Sequence, residues 1–278
     1  MNLINTTKMV AGYTMATAPD GRESFVVVVK GTYIIPERAE QEPVLADEQM
    51  PLVMCDEFTG EPGFSAIRYE IDFAPHKPHC DVLLNGSAYS PQAKPTDRVT
   101  VSLSVGTLTK SFDVVGNRKW QAGILMTTYG DTEPFTVMPI SYDNAFGGVD
   151  RSQEDESKHC WYPLNHAGVG YYYYTNKAAI DGKPLPNTEE TGRAINNSSG
   201  SFKPMAFGPI GRAWQDRIKW AGTYDKKWLD EKFPFLPDDF DYRYFQSTPE
   251  DQQMNYLRGG EPVELTNLTA RGHTKFEL

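Results

Sequence analysis

Three kinds of side chain in this 278-residue sequence are of types that do chemistry. Histidine and cysteine come first. His76-Lys-Pro-His79-Cys80, and His159-Cys160 with His166, offer imidazole and thiol ligands. A zinc site needs three or four such ligands at regular spacing. His76 and His79 sit beside Pro75 and Pro78, which places them in an extended loop rather than on one helix face. The pair reads as loop histidines, and no metal is expected.

Carboxylates come second. Asp238, Asp239 and Asp241 follow Pro237, with Glu231 nearby and Trp228, Tyr242, Tyr244 and Phe245 available to stack on sugars. A glycosidase needs two carboxylates about 5–10 Å apart across a cleft. Asp238–Tyr244 is therefore the candidate site of a carbohydrate-active enzyme or a carbohydrate-binding module. The competing reading is a solvated turn whose acids cap nearby backbone. Nucleophiles come third. There is no Gly-x-Ser-x-Gly elbow, and Cys55 and Cys160 lack a partner pattern. Cys160 follows His159, but adjacent residues in a strand point to opposite faces. Gly147-Gly148 and Gly168-x-Gly170 neither follow a strand nor open a helix, so no phosphate or dinucleotide loop is present. No catalytic residue is assigned and no cofactor is expected.

Aromatic side chains offer binding rather than chemistry. Tyr171, Tyr172, Tyr173 and Tyr174 form an unbroken run. In a strand, two would face a core and two would face outward. Exposed tyrosines give large contact area with a hydrogen-bonding tip. These four and the loop at Phe146 are the candidate partner-binding anchors. Trp214, Arg217 and Trp220 fall at spacing three, so on a helix they share a face and can stack as cation and rings.

The elements that position these groups are mostly strands. Val99, Val101, Leu103 and Val105 alternate with Thr100, Ser102 and Ser104, Gly106-Thr107 turns, and Leu108–Val115 returns as a hairpin. Phe25–Val29 is a continuous apolar run, extended past Gly31 by Thr32–Ile35, and reads as a strand covered on both faces. Ile67–Phe73, Asp81–Tyr89 and Thr136–Ile140 are further strand candidates. Two helices are expected late. One runs through Asp225–Phe233, capped by Thr223 and stopped by Pro234; the other is capped by Thr248, starts at Pro249 and ends near Leu257 before Gly259-Gly260. The fold class is mainly β with α: a β-sandwich-like scaffold with long ordered loops and two or so short C-terminal helices. Residues 1–120 form a β-rich part and 121–278 a loop-rich, aromatic-rich part, packed together as one domain. Lys275–Leu278 ends the chain inside a strand-like run, so the natural protein is expected to extend beyond it.

Composition removes several classes. The formal net charge of −10 disfavours nucleic acid and anionic membranes. No run approaches the roughly 18 apolar residues of a membrane span. Met1–Gly12 has no signal-peptide core, and three irregularly spaced cysteines make no disulfide framework, so a cytoplasmic location is expected.

Eight stretches in order resemble one known family. They are Lys77-Pro-His-Cys-Asp81 through Gly86; Gly116-Asn-Arg118-x-Trp120; Met138-Pro139 through Phe146-Gly147-Gly148; Pro163-Leu-Asn165 through Gly170; Leu185-Pro186-Asn187-x-Glu189; Gly222-Thr-Tyr224-Asp-x-x-Trp228; Leu236-Pro237-x-Asp239-Phe240; and Gly259-Gly260-Glu261. Asn117 stands where the family pattern has Asp. The resemblance spans the chain, and the family is the one found beside toxins of the bacterial type VI secretion system. It implies a non-enzymatic adaptor or chaperone that holds a toxin, often one with a PAAR domain, and helps load it onto the VgrG spike. It implies no catalytic residues.

Overall fold

The protein is described here from a computed structural model, which covers residues 3–36, 38, 41–123 and 127–278. Nine strands are labelled. They are β1 (Val10–Thr17), β2 (Glu23–Lys30), β3 (Tyr33–Ile34), β4 (Val44–Leu45), β5 (Arg98–Val105), β6 (Leu108–Val115), β7 (Thr188–Glu189), β8 (Pro262–Thr266) and β9 (His273–Glu277). Three short helices are α1 (Lys177–Ile180), α2 (Gln215–Ile218) and α3 (Lys226–Glu231). The fold is mainly β with a few short helices, as the alternation predicts.

The largest sheet has five strands in the order β7-β6-β5-β8-β9. It grows from the hairpin read at residues 99–115. Val101 lies opposite Phe112 and Val99 opposite Val114, while Gly106 takes a positive φ of 54° at the turn. One face carries Val99, Val101, Leu103, Phe112, Val263 and Leu265, all buried. That face is covered by a two-stranded ribbon, Gly86–Tyr89 with Val137–Ile140, and by the segment around Phe207. The Phe112 and Phe207 rings lie 4.6 Å apart. The two parts of the chain share this sheet, because β8 and β9 come from the second and complete the strands of the first. A second buried cluster gathers Trp120, Phe146, Tyr162, Tyr171, Ile195 and Phe202.

The structure departs from the sequence reading in three places. First, β2 is a strand, but it is not covered on both faces. It pairs only with β1, and Phe25, Val27 and Val29 remain exposed. The other face of the hairpin rests on Leu52 and Phe73, so closely that a Cβ on Gly12 would come within 2.6 Å of Leu52 Cδ1.

Second, the late helices are shorter than their caps suggest. Helix α3 spans only six residues and its N-cap is Asp225, which accepts from the Trp228 N–H. Thr223 is drawn away to Asp239. The segment after Thr248 makes only the 3₁₀ turn Glu250–Gln252, because the Thr248 hydroxyl donates instead to Asp81.

Third, Trp214, Arg217 and Trp220 do not stack on each other. Arg217 is buried and lies 5.7 Å from the Tyr244 ring, whereas Trp220 is covered by Arg243 at 3.4 Å. Helix α2 is only one turn long, so the ladder has no helical face to follow. Among the described residues, no helix is long and apolar enough to cross a membrane.

Candidate functional site

Several of the family-like stretches meet one another or a neighbouring loop, and charged and amide side chains join them. Asp81 is the first hub. Its carboxylate accepts from Lys77 Nζ at 2.7 Å, Gln246 Nε2 at 2.8 Å, the Ser247 N–H and hydroxyl at 3.0 Å each, and the Thr248 hydroxyl at 2.5 Å. Burial alone would raise its pKa. The Lys77 ammonium and these donors outweigh burial and hold it below the ordinary carboxylate range. Glu189 is the second hub and is fully buried. It takes Arg118 Nη2 at 2.8 Å and the Ile195 N–H at 2.9 Å on one oxygen, and Arg98 Nη2 at 2.9 Å on the other. Arg98 also reaches Asp113, which accepts from the Thr100 hydroxyl. The Gly116–Trp120 and Leu185–Glu189 stretches are therefore clamped by one ion pair.

Asn165 joins two more. Its Nδ2 donates to the carbonyls of Tyr142 and Phe146, and Phe146-Gly147 pairs in parallel with Val169-Gly170. Gly147 has φ 155°, and a Cβ there would fall 2.3 Å from the Asn165 carbonyl oxygen, so the approach requires glycine. These carboxylates and amides were not singled out from sequence. A signal was present for two of them: Asp81 precedes Val82-Leu83 and Asn165 follows Pro163-Leu164, so burial there forces a polar side chain to find partners, whereas Arg118 and Glu189 sit among polar neighbours.

The five aromatic anchors separate into a buried pair, one half-buried ring and an exposed pair. Phe146 is fully buried, with its ring edge-on to Tyr162, Tyr171 and Phe202. Tyr171 is buried as well, and its hydroxyl lies 3.2 Å from Cys160 Sγ. Neither can anchor a partner, which corrects that reading. Phe146 is drawn inside because the backbone around it is tied down by Asn165. Tyr172 is half-buried under Lys183. Tyr173 and Tyr174 are exposed and meet edge to face at 4.8 Å. The run is not an alternating strand. Asp150 accepts from the N–H groups of Tyr174 and Thr175 and from the Thr175 hydroxyl, which bends the chain outward after Tyr172.

The acids at 238–241 each have a local task. Asp239 accepts from the Thr223 N–H at 2.9 Å and hydroxyl at 2.7 Å. Asp241 caps the 3₁₀ turn Tyr242–Phe245 and pairs with Arg243 at 2.6 Å. Asp238 is exposed beside Lys232. The Asp239 and Asp241 carboxyls are held below their ordinary range, by the Thr223 N–H and by Arg243 respectively. A general acid needs the opposite shift.

A cavity of about 360 Å³ lies nearby, with Trp220, Arg243, Lys203 and Asp251 on its walls. Its charges neutralise one another. Asp251 takes both Lys203 and the buried Lys110, whose pKa burial pushes down to about 8. The histidines are dispersed. His76 stacks edge-on to Tyr242, His166 lies between Trp161 and Trp214, and His159 Nε2 is 3.2 Å from the Gln153 carbonyl. Among the described residues, no three His, Cys, Asp or Glu side chains converge.

A continuous exposed apolar surface lies on the outer face of the first hairpin. Strand register places Tyr13 beside Val27 and Met15 beside Phe25, with Val29 next in line. All five are between 42% and 58% exposed. No charged side chain interrupts the run Phe25–Val29.

These features define a mainly β protein with paired buried charges and with exposed apolar side chains on the outer face of a two-stranded hairpin. The chain belongs to the bacterial family described as "Uncharacterized protein conserved in bacteria (DUF2169)", which it matches over residues 20–278. No curated protein and no solved structure matches it.

Proposed function

We propose that this chain is a non-enzymatic adaptor that captures a type VI secretion toxin through the outer face of the β1–β2 hairpin. The toxin assignment rests on the ordered motif resemblance described above. The observation that carries a protein-binding role is the exposed face of Met15, Phe25, Val27 and Val29. An uncovered apolar face on a strand pair is an aggregation hazard in a free monomer and a ready docking surface for a partner. A toxin with an unassembled spike-tip domain exposes apolar surface and strand edges of its own. Joining the two faces hides both. In this reading the adaptor works in the cytoplasm, keeps the toxin soluble and presents it to the VgrG spike. The net charge of −10 speeds encounter with a basic toxin segment.

The test is co-expression with the toxin encoded beside this chain, followed by affinity purification and size exclusion. The two proteins are expected to co-elute, and the toxin to precipitate when expressed alone. Separate elution, with the toxin equally soluble alone, removes the adaptor reading.

A further inference from the structure

A different surface carries a second binding role. Strand β9 is the outer strand of the five-stranded sheet and pairs with β8 on one side only. The hydrogen bonds fix which of its backbone groups point outward. The Leu278 N–H donates to the Glu261 carbonyl, the Leu278 carbonyl accepts from Gly260, and the Gly272 carbonyl accepts from Asn267. Backbone direction alternates along an antiparallel strand. Gly272, Thr274, Phe276 and Leu278 therefore turn toward β8, and His273, Lys275 and Glu277 present their N–H and C=O groups to the open side. Among the described residues, no backbone group pairs with those three.

A groove of about 690 Å³ runs along the far end of this edge. Ile34, Ile35, Leu257 and Phe276 line it, and Ile34 and Ile35 are more than half exposed. Among the described residues, its charged lining residues are Glu42 and Glu277, with no cation among them. The free N–H and C=O groups call for an extended backbone. The aliphatic walls call for apolar side chains at alternate positions, and the two carboxylates call for basic ones between them.

We infer that the β9 edge and its groove accept an added strand from a partner, an extended segment that alternates apolar and basic residues. The partner backbone pairs with His273, Lys275 and Glu277. Its apolar side chains enter the groove between Ile34 and Phe276, and a lysine or arginine lies against Glu277. This inference goes beyond the adaptor reading, uses a separate surface and needs no toxin for its test.

The probe is a fluorescein-labelled decapeptide of alternating valine and lysine, titrated with the purified protein and read by fluorescence anisotropy at about physiological ionic strength. A matched peptide with two valines replaced by proline has the same charge but cannot form the ladder. Saturable binding is expected, weakened at least tenfold by the prolines and also by exchanging lysine for glutamate. In the protein, Lys275→Pro removes an outward N–H and the exposed side-chain pair with Glu264 while sparing the backbone bonds to β8, and Ile34→Asp places a charge in the groove at an exposed position. Each is expected to weaken binding at least tenfold. Thermal melts identify a variant that fails to fold, and Ile34→Asp then decides the matter. Equal binding of the proline peptide or the glutamate peptide overturns the inference, as does wild-type binding by the folded variants. Concentration-dependent dimerisation that Lys275→Pro abolishes, with no peptide binding, also overturns it and assigns the edge to a second copy of this chain.

Discussion

The surroundings of Glu189 and of Val27 invert each other. At Glu189 the chain buries full charges, and it satisfies them with two arginines and a backbone N–H. At Val27 it exposes aliphatic and aromatic side chains in an unbroken face. Burying charge is costly unless each charge is paired, and exposing apolar surface is costly unless something covers it. The first cost is met inside the molecule. The second is left open at the surface where the proposed partner would dock. The comparison also separates two uses of sequence. Four of the family-like stretches contain Asp81, Arg118, Asn165 and Glu189, which tie loops together. The hairpin face lies outside all eight stretches. Resemblance in such segments marks a shared scaffold, and the partner surface is free to differ.

The sharpest way to break this comparison is to remove the charge at the centre of the interior. Glu189→Ala leaves Arg118 buried without its anion. Breaking a buried pair from one side costs about 3–5 kcal/mol. At about 2–4 °C per kcal/mol for a chain near this size, the melting temperature should fall by roughly 6–20 °C. Thermal denaturation of the soluble variant checks it. A loss under about 1 kcal/mol would mean that Glu189 is not holding the loops.

Asp81→Asn comes next, with an expected loss of about 2–3 kcal/mol at neutral pH, in the range for hydrogen bonds to a charged group. The sign of its pH dependence follows from the lowered folded pKa. The unfolded chain binds the proton more readily than the folded one. The stabilisation is therefore present above the unfolded value of about 4 and is lost as pH falls through the lower folded value. The stability gap between wild type and Asp81→Asn, measured by urea titration from pH 7 down to pH 3, should narrow at the acid end. A gap that stays constant or widens there removes Asp81 as a charged hub.

How much of this was legible depends on the range of the interaction that decides each element. The β5–β6 hairpin was readable because its alternation and its Gly106 turn are local. The length of the segment after Thr248 was not, since Asp81, 167 residues away, captures the hydroxyl that would have capped a helix. The apolar run in β2 announced a strand, but a run cannot say whether a second layer exists to cover it. Phe146 looked like an interface residue because it sits in a glycine-rich loop, yet Asn165 folds that loop inward through bonds to its backbone. Strand alternation puts two of the four tyrosines outside at alternate positions; the exposed two are instead the adjacent Tyr173 and Tyr174, because Asp150 bends the chain there.

The hairpin sharpens the other half of the comparison. Val27→Lys places a charge at the centre of the bare face without removing a buried contact. Stability should change by no more than about 0.5 kcal/mol, as for most surface substitutions. Toxin capture should weaken at least tenfold, which corresponds to about 1.4 kcal/mol. Binding measured by calorimetry beside a urea denaturation curve tests both. Unchanged binding moves the partner surface away from the hairpin, and a large stability loss shows that the face is covered from within.

The smallest effect is expected at the tyrosine pair, where two readings of the surface diverge. Tyr173 and Tyr174 are each 54% exposed and touch one another edge to face. An aromatic pair of this kind contributes about 0.5–1.5 kcal/mol beyond the area it buries, with exposed pairs toward the low end. Replacing both with alanine should therefore lower stability by less than about 1 kcal/mol, and Asp150 should still hold the bend, because it grips backbone N–H groups and the Thr175 hydroxyl rather than the rings. If the partner docks on the hairpin alone, the double variant binds toxin within about threefold of wild type, a difference near 0.6 kcal/mol. If the partner spans both surfaces, the loss is tenfold or more. A cycle combining Val27→Lys with the double tyrosine variant then separates the cases: independent surfaces give additive losses, whereas two parts of one docking face show a coupling of about 0.5 kcal/mol or more.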